Sequence, residues 1–479
     1  MGPVKLTVAG LALAIALAVS GRAQEPPDTL MYSVAVYSAD RHLSVEARLT
    51  TAAGSVVLAG PARFGAAGTA VVGFAATDDR GGRLSVQRTG SGYVIDRAPA
   101  GAVRFRYRLN FNDSVSSGST ASGLDSTRLY AVTRSLFVAP DPVLSRKTGR
   151  PYPLIRVRFI LPDGWRLVTN WDSAGPVLCP RSGDDLTDAA IAAAADYRLY
   201  PGRVGDATYS VAVRGRRGFS DSALAELVGQ ALTRSAQAFG PVPVPRVTFI
   251  SDAGRKGRTS GSLQGLSNIG LLWEPGELLE RSRSHDIFHE TLHLWFGGAM
   301  ETEQWWTEGV TDYFAARLYA EWRNDLRELA ALIYESLANY GRIPHRTSLT
   351  MASENRERPG GDNTVRLVYR KGMLAGLLLD AAIRRGTRGR SNLDDVARRL
   401  LSMAAGRPSR RVTEEELREE MVRIGGRPAA DEWARVVAGI SLISAAQVAV
   451  ALRTVTGAEL PPPASDKPRP KILSNTPNP

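Results

Sequence analysis

From residue 30 to about residue 215, short runs rich in Val, Leu and Tyr alternate with polar positions and are broken by Gly, Asp and Ser turns. Leu30 to Tyr37, Val103 to Leu109 and Ile155 to Leu161 are three such runs. A period of two sends successive side chains to opposite faces of a strand, so this region is predicted to be an all-β, sandwich-like domain. Residues 112–126, rich in Ser, Gly, Thr and Asp, read as a long loop that lines a cleft or is disordered. The Ala-rich run from Ala189 to Ala195 is expected to form a short helix or turn.

From Ser220 the period changes to that of a helix. Asp221 to Phe239 carries apolar residues at helical spacing, with Ser220 as its cap and Gly240-Pro241 as its stop. Val247 to Ile250 reads as a strand. The Gly-rich stretch 254–270 lacks the spacing of a phosphate loop and is expected to be an edge strand able to pair with an extended peptide. Helical patterns follow at 277–296, 308–340, 371–385, 392–404, 413–423, 429–437 and 443–453. The tail from Pro461 is rich in Pro, Ser and Asn and reads as disordered.

These patterns divide the chain into residues 24–215, the β domain; 216–345, an α/β domain; 346–455, a helical domain; and 456–479, a tail. Residues 1–23 read as a secretory signal peptide: a short basic start, an apolar run from Leu6 to Val19, and Gly21-Arg22-Ala23 at a cleavage site. The run is too short to span a bilayer comfortably. A periplasmic or secreted protein of a bacterium is expected, without stable membrane insertion after cleavage. The single Cys179 forms no intramolecular disulfide, so the core must hold the fold. A net charge of +12 raises the question of nucleic acid. The basic residues are spread along the chain without a nucleic-acid-binding motif, and no such partner is expected.

The chemistry is concentrated in His289-Glu290-Thr291-Leu292-His293. Residues i and i+4 share one face of a helix, so two imidazoles at this spacing can hold one metal ion. Glu290 sits beside the first ligand, where it reaches a water as general base without binding the metal. Glu308, expected in the first turn of a second helix capped by Thr307, supplies a third ligand. Two His and one Glu favour Zn²⁺ and leave one position open. His285 lies one turn before His289. Three His on one straight helix cannot converge on one ion, so His285 is expected at the surface or on the substrate side.

The segment His289 to Trp295, read with Glu308-Gly309-Val310-Thr311-Asp312-Tyr313-Phe314, resembles the gluzincin zinc metallopeptidases. The glycyl aminopeptidase family, a relative of the aminopeptidase N family, is the better match. Tyr369-Arg370-Lys371-Gly372 and the following Leu377 to Arg384 resemble a third segment of that family. The resemblance covers roughly residues 220–450. It implies a thermolysin-like catalytic domain for 216–345, peptide or protein substrates, and a Tyr369 hydroxyl that stabilises the oxyanion. Some relatives carry a PDZ domain, for which this chain has no room.

Two features depart from the family. Fourteen residues separate His293 from Glu308, fewer than in aminopeptidase N-like enzymes. No better acid is placed, and Asp312, one turn further on, is expected behind a ligand His as its orienting partner. The family's upstream strand holds a substrate's free amino end with a Glu. Here that stretch is Gly261-Ser262-Leu263-Gln264, and Gln264 stands in its place. An amide cannot pair with an ammonium as a carboxylate does. An aminopeptidase is the first expectation. A zinc endopeptidase of altered specificity and a catalytically silent peptide-binding protein remain open.

Overall fold

The computed structural model describes residues 29–51, 53–61, 69–111, 122–140, 154–181, 183–253, 260–264, 267–273, 276–344, 347–355, 362–407 and 409–462. The expected signal peptide, most of the 112–126 loop and the tail from 463 lie outside the described residues.

The fold is multidomain, with sheets in the N-terminal part and helices in the C-terminal part. The alternating runs of the first part form a seven-stranded sheet packed against two four-stranded sheets. Leu30, Tyr32, Val34, Val45, Phe105 and Tyr107 point from the large sheet into a core shared with Leu58, Ile95, Leu129 and Ile191. The buried hydroxyls of Tyr32 and Tyr107 are satisfied by the carbonyls of Val138 and Leu136 at 2.7 and 2.9 Å.

The expected helix or turn at Ala189–Ala195 is instead a strand, Ala190–Ala194, in the middle of one four-stranded sheet. Alanine carries little strand preference. The position decides the outcome: Ile191 and Ala193 face the β core, while Ala190, Ala192 and Ala194 face a second small core. With both faces covered, small side chains let the layers approach.

A five-stranded sheet underlies the next part. Its order is Arg198–Val204, Ala207–Val213, Arg246–Ala253, Asn268–Trp273, Ser260–Gln264. The first two strands fall before residue 215 in sequence yet pair in this sheet, Val211 lying opposite Phe249. These two strands extend the sheet on the side of Arg246–Ala253 away from its other parallel neighbour, Asn268–Trp273. The crossover helix Asp221–Phe239 starts at Ser220, whose side chain accepts from the Ala223 N–H, and ends at Gly240 with φ +98°. Leu224, Leu227, Val228 and Leu232 seal its inner face. The strand Ser260–Gln264 is the sheet edge, antiparallel to its neighbour with Gln264 opposite Asn268.

The rest is helical: Arg281–Leu292, Thr311–Arg323, Leu326–Gly341, Leu349–Glu354, Asp362–Thr387, Leu393–Ala405, Glu414–Val436 and Ala445–Thr456. Three of them begin in reciprocal capping boxes, Asn392 with Asp395, Thr413 with Glu416 and Ser444 with Gln447. The expected pair 413–423 and 429–437 is one run kinked at Gly426, φ +63°, just before Pro428. Among the described residues, one core cluster runs from Val211 to Leu452. Among the described residues, no helix is long and apolar enough to cross a membrane.

Candidate metal centre

The helix Arg281–Leu292 buries Ile287, Phe288 and Leu292 and carries His285 and His289 on one side, with His293 as its C-terminal cap. The chain then turns tightly. Gly297, at φ +120°, donates its N–H to the Met300 carbonyl at 2.8 Å, a conformation that favours glycine. Glu301 pairs as a short bridge with Arg411, its N–H on the Arg410 carbonyl and its carbonyl accepting from Val412, both at 2.9 Å. This shortcut across the molecule lets fourteen residues return Glu308 to the first helix.

Glu308 lies in a first helical turn as expected, but Thr307 does not cap it. The helix begins earlier, and Trp305–Val310 forms a π-helical turn leading directly into Thr311–Arg323. Thr307 lies inside that turn. Trp305 and Trp306 are fully buried and fix it in place. Wider turns of this kind recur at functional sites.

The result is a compact set of donors. His289, His293 and Glu308 each offer an atom within 4.8 Å of the other two. Glu308 Oε2 lies 3.5 Å from His289 Nε2 and 3.6 Å from His293 Nε2. The other ring nitrogens are held from behind. Asp312 Oδ1 is 2.8 Å from His289 Nδ1, and the Phe296 carbonyl is 3.0 Å from His293 Nδ1. This is the arrangement in which an outer partner sets the tautomer and turns the remaining nitrogen inward.

The electrostatics call for a cation. Burial disfavours charge on the His289 ring, yet Asp312 and Glu308 raise its pKa well above the usual imidazole range. Burial would raise the Glu308 carboxyl, but the two imidazoles hold it well below the usual range. Burial pushes Glu290 up, opposed by His293 and His289. Three acids around one buried and one half-buried imidazole form a site whose negative charge a divalent ion offsets, and the nitrogen and oxygen donors suit zinc.

His285 is a correction. It is 8% exposed, not a surface residue, and its Nε2 is 3.1 Å from the Asp312 carbonyl oxygen. It packs beside His289, its Nε2 also 3.7 Å from the Asp312 carboxylate oxygen that faces His289. No sequence signal distinguishes it from a surface His on the same helix face.

Tyr369 lies on the long helix Asp362–Thr387, its ring stacked at 27° and 6.1 Å from that of His289. Sequence reasoning missed what brings it there. A Cβ on Gly309 would stand 2.4 Å from the Val368 carbonyl oxygen, so only two glycines let these helices touch beside Tyr369. Further along, the Tyr313 hydroxyl donates to Asp380 at 2.5 Å, and Asp380 also accepts from Arg384 and the Leu393 N–H. The edge strand packs beside the motif helix. Its partner Asn268 donates its amide to Asn170 and to the Ala190 carbonyl at 3.0 and 2.7 Å. Asn170 in turn donates to Ser267 at 2.5 Å. The backbone of Gly261, Ser262, Leu263 and Gln264 thus forms the edge; their side chains lie outside the described residues.

Among solved structures, the chain is similar to an aminopeptidase N family protein from Idiomarina loihiensis, with TM-score 0.73 and 16% identity, covering 88% of this chain and 77% of that one. The chain has the fold of the aminopeptidase N-type zinc metallopeptidases. An M1 zinc metallopeptidase from Deinococcus radiodurans matches with TM-score 0.57 and 15% identity, over 87% of this chain and 95% of that one. A mutant of that enzyme, bound to a Tyr-Ser-Ala substrate, matches with TM-score 0.57 and 16% identity over the same shares. No family model and no curated protein matches the sequence.

Proposed function

We propose that this protein is an exported zinc-dependent peptidase that hydrolyses peptide bonds, acting as an aminopeptidase. The observation that carries the reading is the convergence of His289, His293 and Glu308 within 4.8 Å on the fold of such enzymes, with Glu290 adjoining. When bound, zinc supplies Lewis acidity, lowering the pKa of water and polarising a carbonyl.

The remaining work falls to the chain. Glu290 takes the proton of the attacking water and returns it to the leaving amine. The Tyr369 hydroxyl donates to the oxyanion as charge develops, the kind of contact that contributes most in such reactions. Asp312 keeps His289 in the tautomer that directs Nε2 inward. The edge strand 260–264 offers backbone groups to an extended peptide, which fixes the scissile bond. Residues 1–23 direct export to the periplasm or beyond. A second reading, a zinc endopeptidase, is favoured by Gln264, a neutral group where an amino-end-binding acid would stand.

The test is elemental analysis and hydrolysis of a short peptide by the purified chain and by Glu290→Gln. About one zinc in each, with hydrolysis lost in the variant by a factor of roughly 10² or more, supports the reading. A chain that takes up no zinc on titration overturns it.

A further inference from the structure

The outward face of the seven-stranded sheet carries a concentration of positive charge that the metal centre does not use. Arg104, Arg106 and Arg108 alternate along Gly101–Phe111 and are all exposed. Arg156 and Arg158 do the same along Leu154–Ile160. Among the described residues, none of these five arginines makes an ion pair. The register aligns them in rows. Arg156 lies opposite Met31, Met31 opposite Arg48, and Arg48 opposite Arg104. In the next row Arg158 is opposite Ser33, Ser33 opposite Glu46, and Glu46 opposite Arg106.

Strand geometry sets the dimensions. Alternate residues on one strand are about 7 Å apart, and the two strands between the arginine-bearing ones, Thr29–Tyr37 and His42–Thr51, leave the two walls about 14 Å apart. The floor is Met31, Ser33 and Ala35 on one strand and Ser44, Glu46 and Arg48 on the next, all at least partly exposed. Glu46 is the one acid within the rows. Asp172, at the sheet edge, is taken by Arg246 at 3.3 Å. Asp40, Asp78 and Asp79 lie in turns beyond the strand ends.

The charge ends in an apolar margin. Ile160 is opposite Ala35, Ala35 opposite Ser44, Ser44 opposite Arg108, and Arg108 opposite Val72. Ile160 and Val72 are exposed, as is Tyr37 at the end of its strand, stacked on His42. Arginine forks suit phosphate oxygens. An aromatic and two aliphatic side chains at one end suit the boundary between headgroups and acyl chains. A soluble polyanion would use the arginines and leave this margin in water.

We propose that this face docks on a bilayer surface of anionic phospholipid headgroups, the arginines on phosphates and Tyr37, Ile160 and Val72 at the acyl boundary. The surface is independent of the metal centre, and its test does not read hydrolysis.

The experiment is co-sedimentation of the full chain with phosphatidylcholine vesicles, alone and with a third of phosphatidylglycerol. Comparing the two compositions cancels any contribution of the apolar run at residues 6–19. Binding to anionic vesicles should exceed neutral binding at least tenfold and fall as salt rises. Each arginine replaced should lower it about fivefold. Arg104→Ser/Arg106→Ser/Arg108→Ser should therefore abolish the difference, with its circular dichroism melt unchanged. Should that variant not fold, Arg156→Ser/Arg158→Ser takes its place. Tyr37→Ser/Ile160→Ser should release the chain at lower salt. Equal binding to both compositions, or full binding by the folded arginine variants, overturns the proposal. So does complete displacement by soluble polyphosphate from the unmutated chain but equally from Tyr37→Ser/Ile160→Ser, which would make the occupant a soluble polyanion.

Discussion

Gly309 and Gly372 touch across two helices: a Cβ on Gly372 would lie 2.9 Å from the Gly309 Cα and 2.8 Å from the Trp305 carbonyl oxygen. Gly309 follows the third donor, Glu308, and Gly372 lies three residues after Tyr369. The contact sets the distance between the donor cluster and the tyrosine. Gly372→Ala meets backbone on both sides and should destabilise the fold by about 1–3 kcal/mol. Hydrolysis by the folded fraction should fall further, since the two helices separate. Urea denaturation alongside single-point activity checks both; an unchanged midpoint would remove the contact from the account.

Tyr369→Phe keeps the ring against His289 and deletes only the hydroxyl. The catalytic rate should drop by about a hundredfold with KM nearly unchanged. Steady-state kinetics decide the matter. A loss of melting temperature with normal turnover would make Tyr369 a packing residue.

Asp312→Ala removes the carboxylate behind His289 while leaving the backbone carbonyl that faces His285. Zinc affinity should fall about 10–100-fold, measured by competition with a chromophoric chelator. Unaltered affinity would mean that the imidazole is held by packing alone.

Lys371 gives a pH dependence. Its side chain is 1% exposed, with Nζ 2.7 Å from the Gly439 carbonyl and 3.2 Å from that of Thr347. Burial, reinforced by Arg435, pulls its pKa from 10.5 to about 8. The unfolded chain therefore binds more protons between those values. The cost of the buried charge is present in full below about pH 8 and is relieved as pH rises toward 10.5. The gain is at most about 3 kcal/mol. Lys371→Met should lack this rise, which urea midpoints for both proteins between pH 7.5 and 10.5, roughly the titration window, would reveal.

Gln264 bears on specificity. If it meets the substrate's amino end, free-amine peptides should gain little over acetylated ones, and Gln264→Glu should raise their advantage about tenfold or more. A strong free-amine preference in the unmutated chain, unmoved by the substitution, would place recognition elsewhere. Asp312 is not that alternative site: it is buried behind His289.

Much of the centre was legible because its information is local. The i, i+4 spacing of His289 and His293 fixes two donors on one helix face, and Glu308-Gly309 marks the segment that faces them. What the sequence hid depends on distant partners. The strand Ala190–Ala194 has the composition of a helix and becomes a strand because layers close on both its faces. The π-helical turn at Trp305–Val310 follows from where two buried tryptophans fit, which no cap residue announces. His285 looks like any polar residue on an exposed face until Asp312 arrives from another helix. The early strands Arg198–Val204 and Ala207–Val213 carry ordinary β alternation, so only their pairing shows which sheet they join.

The amides of Asn170 and Asn268 moor the edge strand's hairpin to the N-terminal β region, whereas glycine contacts between helices hold the donors and Tyr369. Reactivity and selectivity thus have separate foundations. On the proposed function, substitutions around Asn170 would shift how the edge receives a peptide without disturbing the helix contact that holds the donors and Tyr369.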